Sequence, residues 1–480
     1  MEKIVVIFVC TLVIATTFVS ADNNVQNIVQ NTPYKQDVSS NRKYWSGVWE
    51  VEYDDSLWAD SIVVDSMNNV ILVGAGGNGN TEFSYAVIVK YSADGKLMWS
   101  DHQTAPIIPG LISELSVVND LPQSTENVSG KQINLFSKTP DAVQYSMGSD
   151  ISSDLGLSCI ANEFMIGSHR YIEPIFTKAQ SLLWGKWVRF YDVAVDDNDD
   201  IVVVGEIQNR FTKDLRTVYV IKYDPNGNVL WDRIYRRYWL TPRDLATGVA
   251  IDSNNNIFVS VISQEKDSES YKGWILKLSS NNGATLDEVI YPEGSIIFSD
   301  LAVDYQDNVY VSGYYTPSGK MIVTKYSNEL TLLDEWGPNI MPIRPIAIDV
   351  DQDGNVIVAG GIGFYGNEKQ YLTKFSPDGT ILWSNKSKDV GVWYDVISLN
   401  PEVTATAGIS WNNETYGRFY IGLFNESGKE FKRFLGGNKT ILQCFFSHGL
   451  DVDNNGDIVV GGFRWYGRVL YFMYAMKFYQ

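Results

Sequence analysis

Six aspartates recur along this chain at positions where a carboxylate could hold a hard cation. Asp65, Asp196, Asp252, Asp304, Asp351 and Asp453 are each followed four residues later by Asn or Asp. Two copies, Asp349-Val-Asp351-Gln-Asp353-Gly and Asp451-Val-Asp453-Asn-Asn-Gly, resemble the start of a calcium loop, in which alternate oxygens surround the ion. The bidentate Glu that closes such a loop is missing, because Gly360 and Gly462 stand in its place. Asp252-Ser-Asn-Asn-Asn256 keeps the spacing with no second carboxylate nearby. The preferred reading is a hairpin turn stabilised by its own Asp side chain. Calcium at Asp349, Asp351, Asp353, Asp451 and Asp453 is the lesser alternative, and no cofactor is otherwise expected. A lysine also recurs, at Lys90, Lys222, Lys277, Lys325, Lys374 and Lys477, between apolar neighbours. No copy stands apart in sequence, so its expected role is a buried stem with a paired ammonium rather than catalysis. His102, His169 and His448 lack metal-ligand spacing, and neither Gly-x-Ser-x-Gly nor His-Glu-x-x-His occurs.

The segments carrying these residues are short and apolar, rich in β-branched and aromatic residues, and bounded by turn chemistry. In 299–336, Leu301-Ala-Val-Asp304, Val309-Tyr-Val-Ser-Gly313, Ile322-Val-Thr-Lys-Tyr326 and Leu332-Leu-Asp-Glu-Trp336 read as a four-stranded antiparallel meander. A second motif closes each unit: Lys90-Tyr-Ser-Ala-Asp-Gly-Lys-Leu-Met-Trp99, Lys222-Tyr-Asp-Pro-Asn-Gly-Asn-Val-Leu-Trp231 and Lys374-Phe-Ser-Pro-Asp-Gly-Thr-Ile-Leu-Trp383. From residue 196 onward the anchors lie 47 to 56 residues apart, the period of a β-propeller with four strands per blade. Between Asp65 and Asp196 a degenerate unit fits at Tyr145–Trp184, with an insertion at about 101–140. The expected fold is all-β: eight four-stranded blades, with seven as the alternative if the degenerate unit is not a blade. The last unit ends at Gln480 without its Trp-bearing strand, whereas Trp49-Glu-Val-Glu-Tyr53 precedes the first. The N-terminal segment is therefore expected to be the outer strand of the C-terminal blade, which removes two open edges.

These Asp-x-x-x-Asn-Val-x-Val-x-Gly and Lys-Tyr-Ser-x-x-Gly-x-x-x-Trp units resemble the SBBP-type β-propeller repeats of secreted and surface prokaryotic proteins. The likeness runs over nearly all of 44–480. It implies a propeller and specifies no activity. The Gly-x-x-x-Trp ending also resembles the docking repeat of quinoproteins, which would imply a quinone-dependent oxidoreductase, but no cofactor constellation accompanies it here.

In a meander blade the loops between second and third strands share a face with the blade-to-blade connections, and the variation in loop length falls there. That face is expected to be aromatic: Tyr314, Tyr315, Phe364, Tyr365, Trp411, Tyr416, Trp465 and Tyr466 follow second strands, and Arg236, Arg237, Tyr238 and Trp239 lie in a connection. Rings beside Asn and Arg suit stacking on sugars or anchoring a protein; the alternative is that they only cap the blades. The expected function is a non-catalytic binding or scaffold module for glycan or protein. A lyase or oxidoreductase working in the central channel, or a purely structural envelope protein, are the competing readings.

The net charge of −19 disfavours a nucleic-acid partner. Met1-Glu-Lys3, the apolar run to Val19 and small residues before Asp22 predict a signal peptide over 1–21, a flexible lead-in over 22–43 and a single domain over 44–480. Export to the cell surface or medium follows, with no transmembrane segment after signal removal. Sequons at Asn127, Asn385, Asn413, Asn425 and Asn438 are candidate glycan acceptors.

Overall fold

The computed structural model describes residues 47–53, 58–76, 85–103, 124–128, 131–135, 142–146, 158–166, 169–175, 186–209, 216–237, 243–264, 270–340, 342–364, 367–410, 418–435, 443–466 and 470–478. The predicted signal peptide and lead-in lie outside them. The structure is an all-β propeller. Sheet I comprises Trp58–Val64, Val70–Gly76, Tyr85–Tyr91 and Leu97–Gln103, in chain order from axis to rim. Sheets II (from Lys186–Val195 to Val229–Tyr235), III (from Asp244–Ile251 to Thr285–Ile290) and IV (from Ile296–Val303 to Leu332–Trp336) repeat that order. Sheet V begins with Ile343–Val350 and shares the long strand Ile381–Asn400 with sheet VI, which ends at Glu430–Leu435. The shared strand pairs as the rim of V up to Val390 and as the innermost strand of VI from Gly391.

Sheet VII closes the ring as the sequence predicts. Its strands Gln443–Val452, Ile458–Tyr466 and Leu470–Phe478 are completed on the outside by Gly47–Tyr53. The register sets Trp49 opposite Lys477 and Glu52 opposite Tyr474. Lys90 faces Trp99, Lys222 faces Trp231 and Lys374 faces Trp383 in the same way, so the composite blade copies the continuous ones.

Apolar clusters fill the junctions between successive sheets. Ile71, Val73 and Ile88 of I pack on Val188, Phe190 and Tyr219 of II, and Leu72 and Val87 of I pack on Val459 and Met473 of VII. The sequence reading placed an eighth unit between I and II. Its described strands, Ala142–Ser146, Ser158–Ile166 and His169–Ile175, form a three-stranded sheet, while I and II touch directly. Residues 101–103, at the start of the expected insertion, finish the outer strand of sheet I.

Candidate functional site

The recurrent Asp, Lys and Trp form the joint between blades. Asp196 accepts the amides of Asn198 and Asp200 through Oδ1 and the Lys222 ammonium at 2.7 Å through Oδ2. Lys222 also reaches Ser280 Oγ of the next sheet, whose carbonyl accepts Trp231 Nε1 at 2.8 Å. Lys90 and Trp99 converge in the same way on the Pro225 carbonyl. The indole lies over the next turn: a Cβ on Gly227 (φ +87°) would come within 2.7 Å of Trp99. The carboxylates considered for calcium are engaged separately. Asp351 and Asp453 hold Lys374 and Lys477, Asp349 and Asp451 accept backbone amides from neighbouring sheets, and Asp353 is exposed. Among the described residues no three His, Cys, Asp or Glu side chains gather as a metal site. One expectation needs correcting, because the lysines are not equivalent. Lys277 binds Asn328 of the next sheet, and Lys325 lies over the Tyr310 ring while the Tyr310 hydroxyl takes the place of a lysine on Asp304.

A bulge interrupts the innermost strand of each of sheets I to VII at an equivalent point, as at Phe190/Asp192, Phe298/Asp300 and Trp393/Asp395. A bulge re-aims side chains, and these turn toward the axis. There they line a cavity of about 220 Å³ with Asp60, Ser61, Tyr191, Thr247, Ser299 and Tyr394. Asp192, Asp300 and Asp395 alternate around the ring with Gly248, Ala347 and Gly449. Each aspartate accepts an amide from the following sheet: Val249 at 2.8 Å, Ile348 at 3.1 Å and Leu450 at 2.7 Å. Burial raises all three carboxyls, Asp192 to about 6; mutual repulsion adds to the rise at Asp300 and Asp395. Burial likewise brings Asp349 to about 6 and Asp451 to about 7.

Guanidinium groups adjoin the phenols that line this cavity. Arg189 forms a fork with Asp60 at 3.0 and 2.6 Å and lies 4.7 Å from the Tyr191 ring centre, and the Tyr191 hydroxyl donates to Glu206 at 2.8 Å. Arg344 pairs with Glu368 at 2.9 and 3.2 Å and acts electrostatically on both Tyr314 and Tyr394. Tyr271 acts on Tyr314, whose phenol burial raises. Tyr271 also pairs across the ladder with Gln264, whose amide donates to the Arg243 carbonyl. The backbone of Arg243 forms an isolated parallel β-bridge with that of Arg216. Tyr191 and Tyr394 thus line the cavity itself, with Arg189 beside the first and Arg344 close to the second and to Tyr314.

Of the residues singled out from sequence, Phe364 is 81% exposed on this face. Tyr314 is half-buried near Arg344, and Arg236 and Arg237 are half-buried beside Asp244. Tyr315 turns inward, sharing a 2.8 Å hydrogen bond with Tyr291. Tyr238, Trp239, Tyr365, Trp411 and Tyr416 lie outside the described residues. Trp465 and Tyr466 end a strand opposite Cys444 and Gln443, and their side chains are not described. Sequence reasoning missed Tyr191, Tyr394 and the bulge aspartates. Their signal was present as Phe190-Tyr-Asp-Val193, Phe298-Ser-Asp-Leu301 and Trp393-Tyr-Asp-Val396, a few residues upstream of the turns that drew attention.

No known family profile matches the chain. An uncharacterized WD repeat-containing protein of Acanthamoeba polyphaga mimivirus is 24% identical over 207 residues, covering 37% of this chain; the match spans only 14% of that relative. Among solved structures, the chain is similar to the polysaccharide lyase Uly1 (7% identity, TM-score 0.46, 91% of this chain and 99% of that one). It is also similar to Sqt1 from Chaetomium thermophilum (10%, 0.45, 90% and 100%) and to the β-propeller domain of the Trilobed protease from Pyrococcus furiosus (11%, 0.36, 59% and 82%). At these identities the likeness concerns fold alone.

Proposed function

We propose that this protein is a non-catalytic, SBBP-type propeller, exported to the cell surface or medium, that binds a carbohydrate through its loop face. One observation carries the reading: Tyr191 and Tyr394 line the cavity, Arg189 lies against Tyr191, Arg344 lies close to Tyr394 and Tyr314, and Phe364 stands exposed on the loop face. Phenol and phenyl faces stack on the C–H faces of sugar rings, while guanidinium and carboxylate groups take up hydroxyls. A protein partner anchored by the same rings is the other occupant such a face suits. A glycan array probed with the full chain separates the two. Saccharide binding lost in Tyr314→Ala and Phe364→Ala supports the reading; no saccharide bound, or binding untouched by both changes, overturns it.

A second reading has its own support. Raised carboxyls beside Tyr191 and Tyr394 in a concave site are what a polar lyase or hydrolase centre requires. Against it, the oxygens of Asp192, Asp300 and Asp395 already accept backbone amides across sheet junctions, a structural use of the same groups. Depolymerisation of any bound polysaccharide by the wild type, abolished in Asp300→Asn, would establish catalysis and displace the binding-only account.

A further inference from the structure

The joint between sheets III and IV differs in its chemistry from its sister joints. In sheets I, II and V the third-strand lysine meets the turn carboxylate of its own sheet directly. Lys90 reaches Asp65 at 2.8 Å, and Lys222 and Lys374 reach Asp196 and Asp351 at 2.7 Å. In sheet III the side chain of Asn328, from the last hairpin of sheet IV, stands between Lys277 and Asp252. Lys277 Nζ donates to the Asn328 side-chain oxygen and, at 2.9 Å, to its backbone carbonyl. Asn328 Nδ2 donates to Asp252 Oδ2 at 2.9 Å and to the Asp307 carbonyl at 3.5 Å. Asp252 is itself fixed, because its Oδ1 accepts the amides of Asn254 and Asn256 and its Oδ2 the side-chain amide of Asn256. Lys277 and Asp252 are buried, and the Phe258 ring centre lies 5.4 Å from Nζ. The sequence sets this joint apart as well. Asn328 lies three residues after Lys325, where the turns after Lys90, Lys222, Lys277 and Lys374 carry Ala93, Pro225, Ser280 and Pro377.

We propose that Lys277 and Asn328 become joined by an isopeptide bond, formed by the chain itself with Asp252 as proton carrier. A lysine amine is a nucleophile once it has given up its proton. An amide carbon is a poor electrophile, so the reaction needs the two groups held in contact in a site that excludes water. Here the backbone carbonyl of Asn328 pins the amine beside the amide that it attacks, while Asp252 holds the leaving nitrogen. The step forms the Nζ–Cγ bond, breaks the Cγ–Nδ2 bond and releases Nδ2 as ammonia, with no oxidant or reductant. The ammonium first loses one proton, which departs with the ammonia as ammonium ion. A second proton passes from Nζ to Nδ2 through Asp252, and the sister joints show that lysine and turn carboxylate of one sheet come within 2.7–2.8 Å. The bond locks the III–IV junction across a separation of 51 residues.

The test is mass spectrometry of the full chain under denaturing conditions, beside Lys277→Arg and Asn328→Ala. Once each substitution is allowed for, the wild type should be lighter than both variants by one ammonia. A tryptic digest of the wild type should show no cleavage after Lys277 and a branched peptide that joins this residue to the segment holding Asn328. The branched peptide decides, because a succinimide elsewhere loses the same mass and joins nothing. Asp252→Asn keeps an oxygen for the turn amides and should leave the two residues unlinked in a protein that still unfolds cooperatively. Linkage that persists in this variant would overturn the part given to Asp252. Cleavage after Lys277 in the wild type with no branched peptide, or a mass equal to that of the variants after correction, would overturn the bond itself.

Discussion

Lys222 shows how a side chain that resembles a catalytic base can be wholly absorbed by architecture. Its ammonium sits among Asp196 at 2.7 Å, Asp200 at 3.0 Å and Ser280 Oγ at 2.6 Å. Removing one partner of a buried ion pair leaves the other uncompensated, so Lys222→Ala should destabilise the protein by about 3–5 kcal/mol. Denaturant titration checks this; a change under about 1 kcal/mol would mean the pair is solvated. Gly227 is the second residue of the joint. Ala there meets both a left-handed backbone and the Trp99 ring, and the expected loss is about 1–3 kcal/mol, measured in the same titration. Trp99→Ala combined with Gly227→Ala should lose less than the two single changes added together, since the clash disappears with the ring.

The innermost strand is the element with the least obvious sequence signature. Its aspartates follow no fixed turn, and the bulge that aims them at the axis shows only in the pairing of two strands. What was legible came from local chemistry: Asn68, Asp199, Asn255 and Asp307 take positive φ in the hairpin turns, as the Asp-x-x-x-Asn pattern requires. The axial site was illegible because neighbouring strands far apart in sequence jointly build it; Asp192 alone touches Ser61, 131 residues before it, and Val249, 57 after it. Crowded carboxyls there make stability depend on pH. Asp192 and Asp349 are raised to about 6 and Asp451 to about 7, against about 3.9 in an unfolded chain. Between these limits the folded state keeps protons that the unfolded state has released, so stability must fall as pH rises. The urea midpoint should therefore be higher at about pH 5 than at about pH 7.5. Asp451→Asn should shrink the difference; an unchanged slope in that variant, or a midpoint rising with pH, contradicts the assignment.

At the scale of the molecule, the ring depends on an outer strand lent by the other end of the chain. Sequence made this visible, since the final unit lacks its Trp strand and the segment around Trp49 has one to spare. Sheets I and II meet directly, because Ser66 and Asp60 of sheet I bond to Asp199 and Arg189 of sheet II. Truncation through Tyr53 should lower the thermal midpoint and leave Leu470–Phe478 as an unpaired, aggregation-prone edge; an unaltered midpoint in scanning calorimetry would show that the strand is dispensable. A closed ring presents loops from every sheet on one face, and the proposed ligand recognition uses that shared surface. The most direct measurement is the affinity of the full chain for its best array saccharide, compared with Tyr314→Ala, Phe364→Ala and, on the opposite face, Tyr305→Ala, a residue 72% exposed. The account expects the first two substitutions to weaken binding about tenfold or more and the third to leave it intact. Equal loss from Tyr305→Ala, or none from the other two, would contradict it.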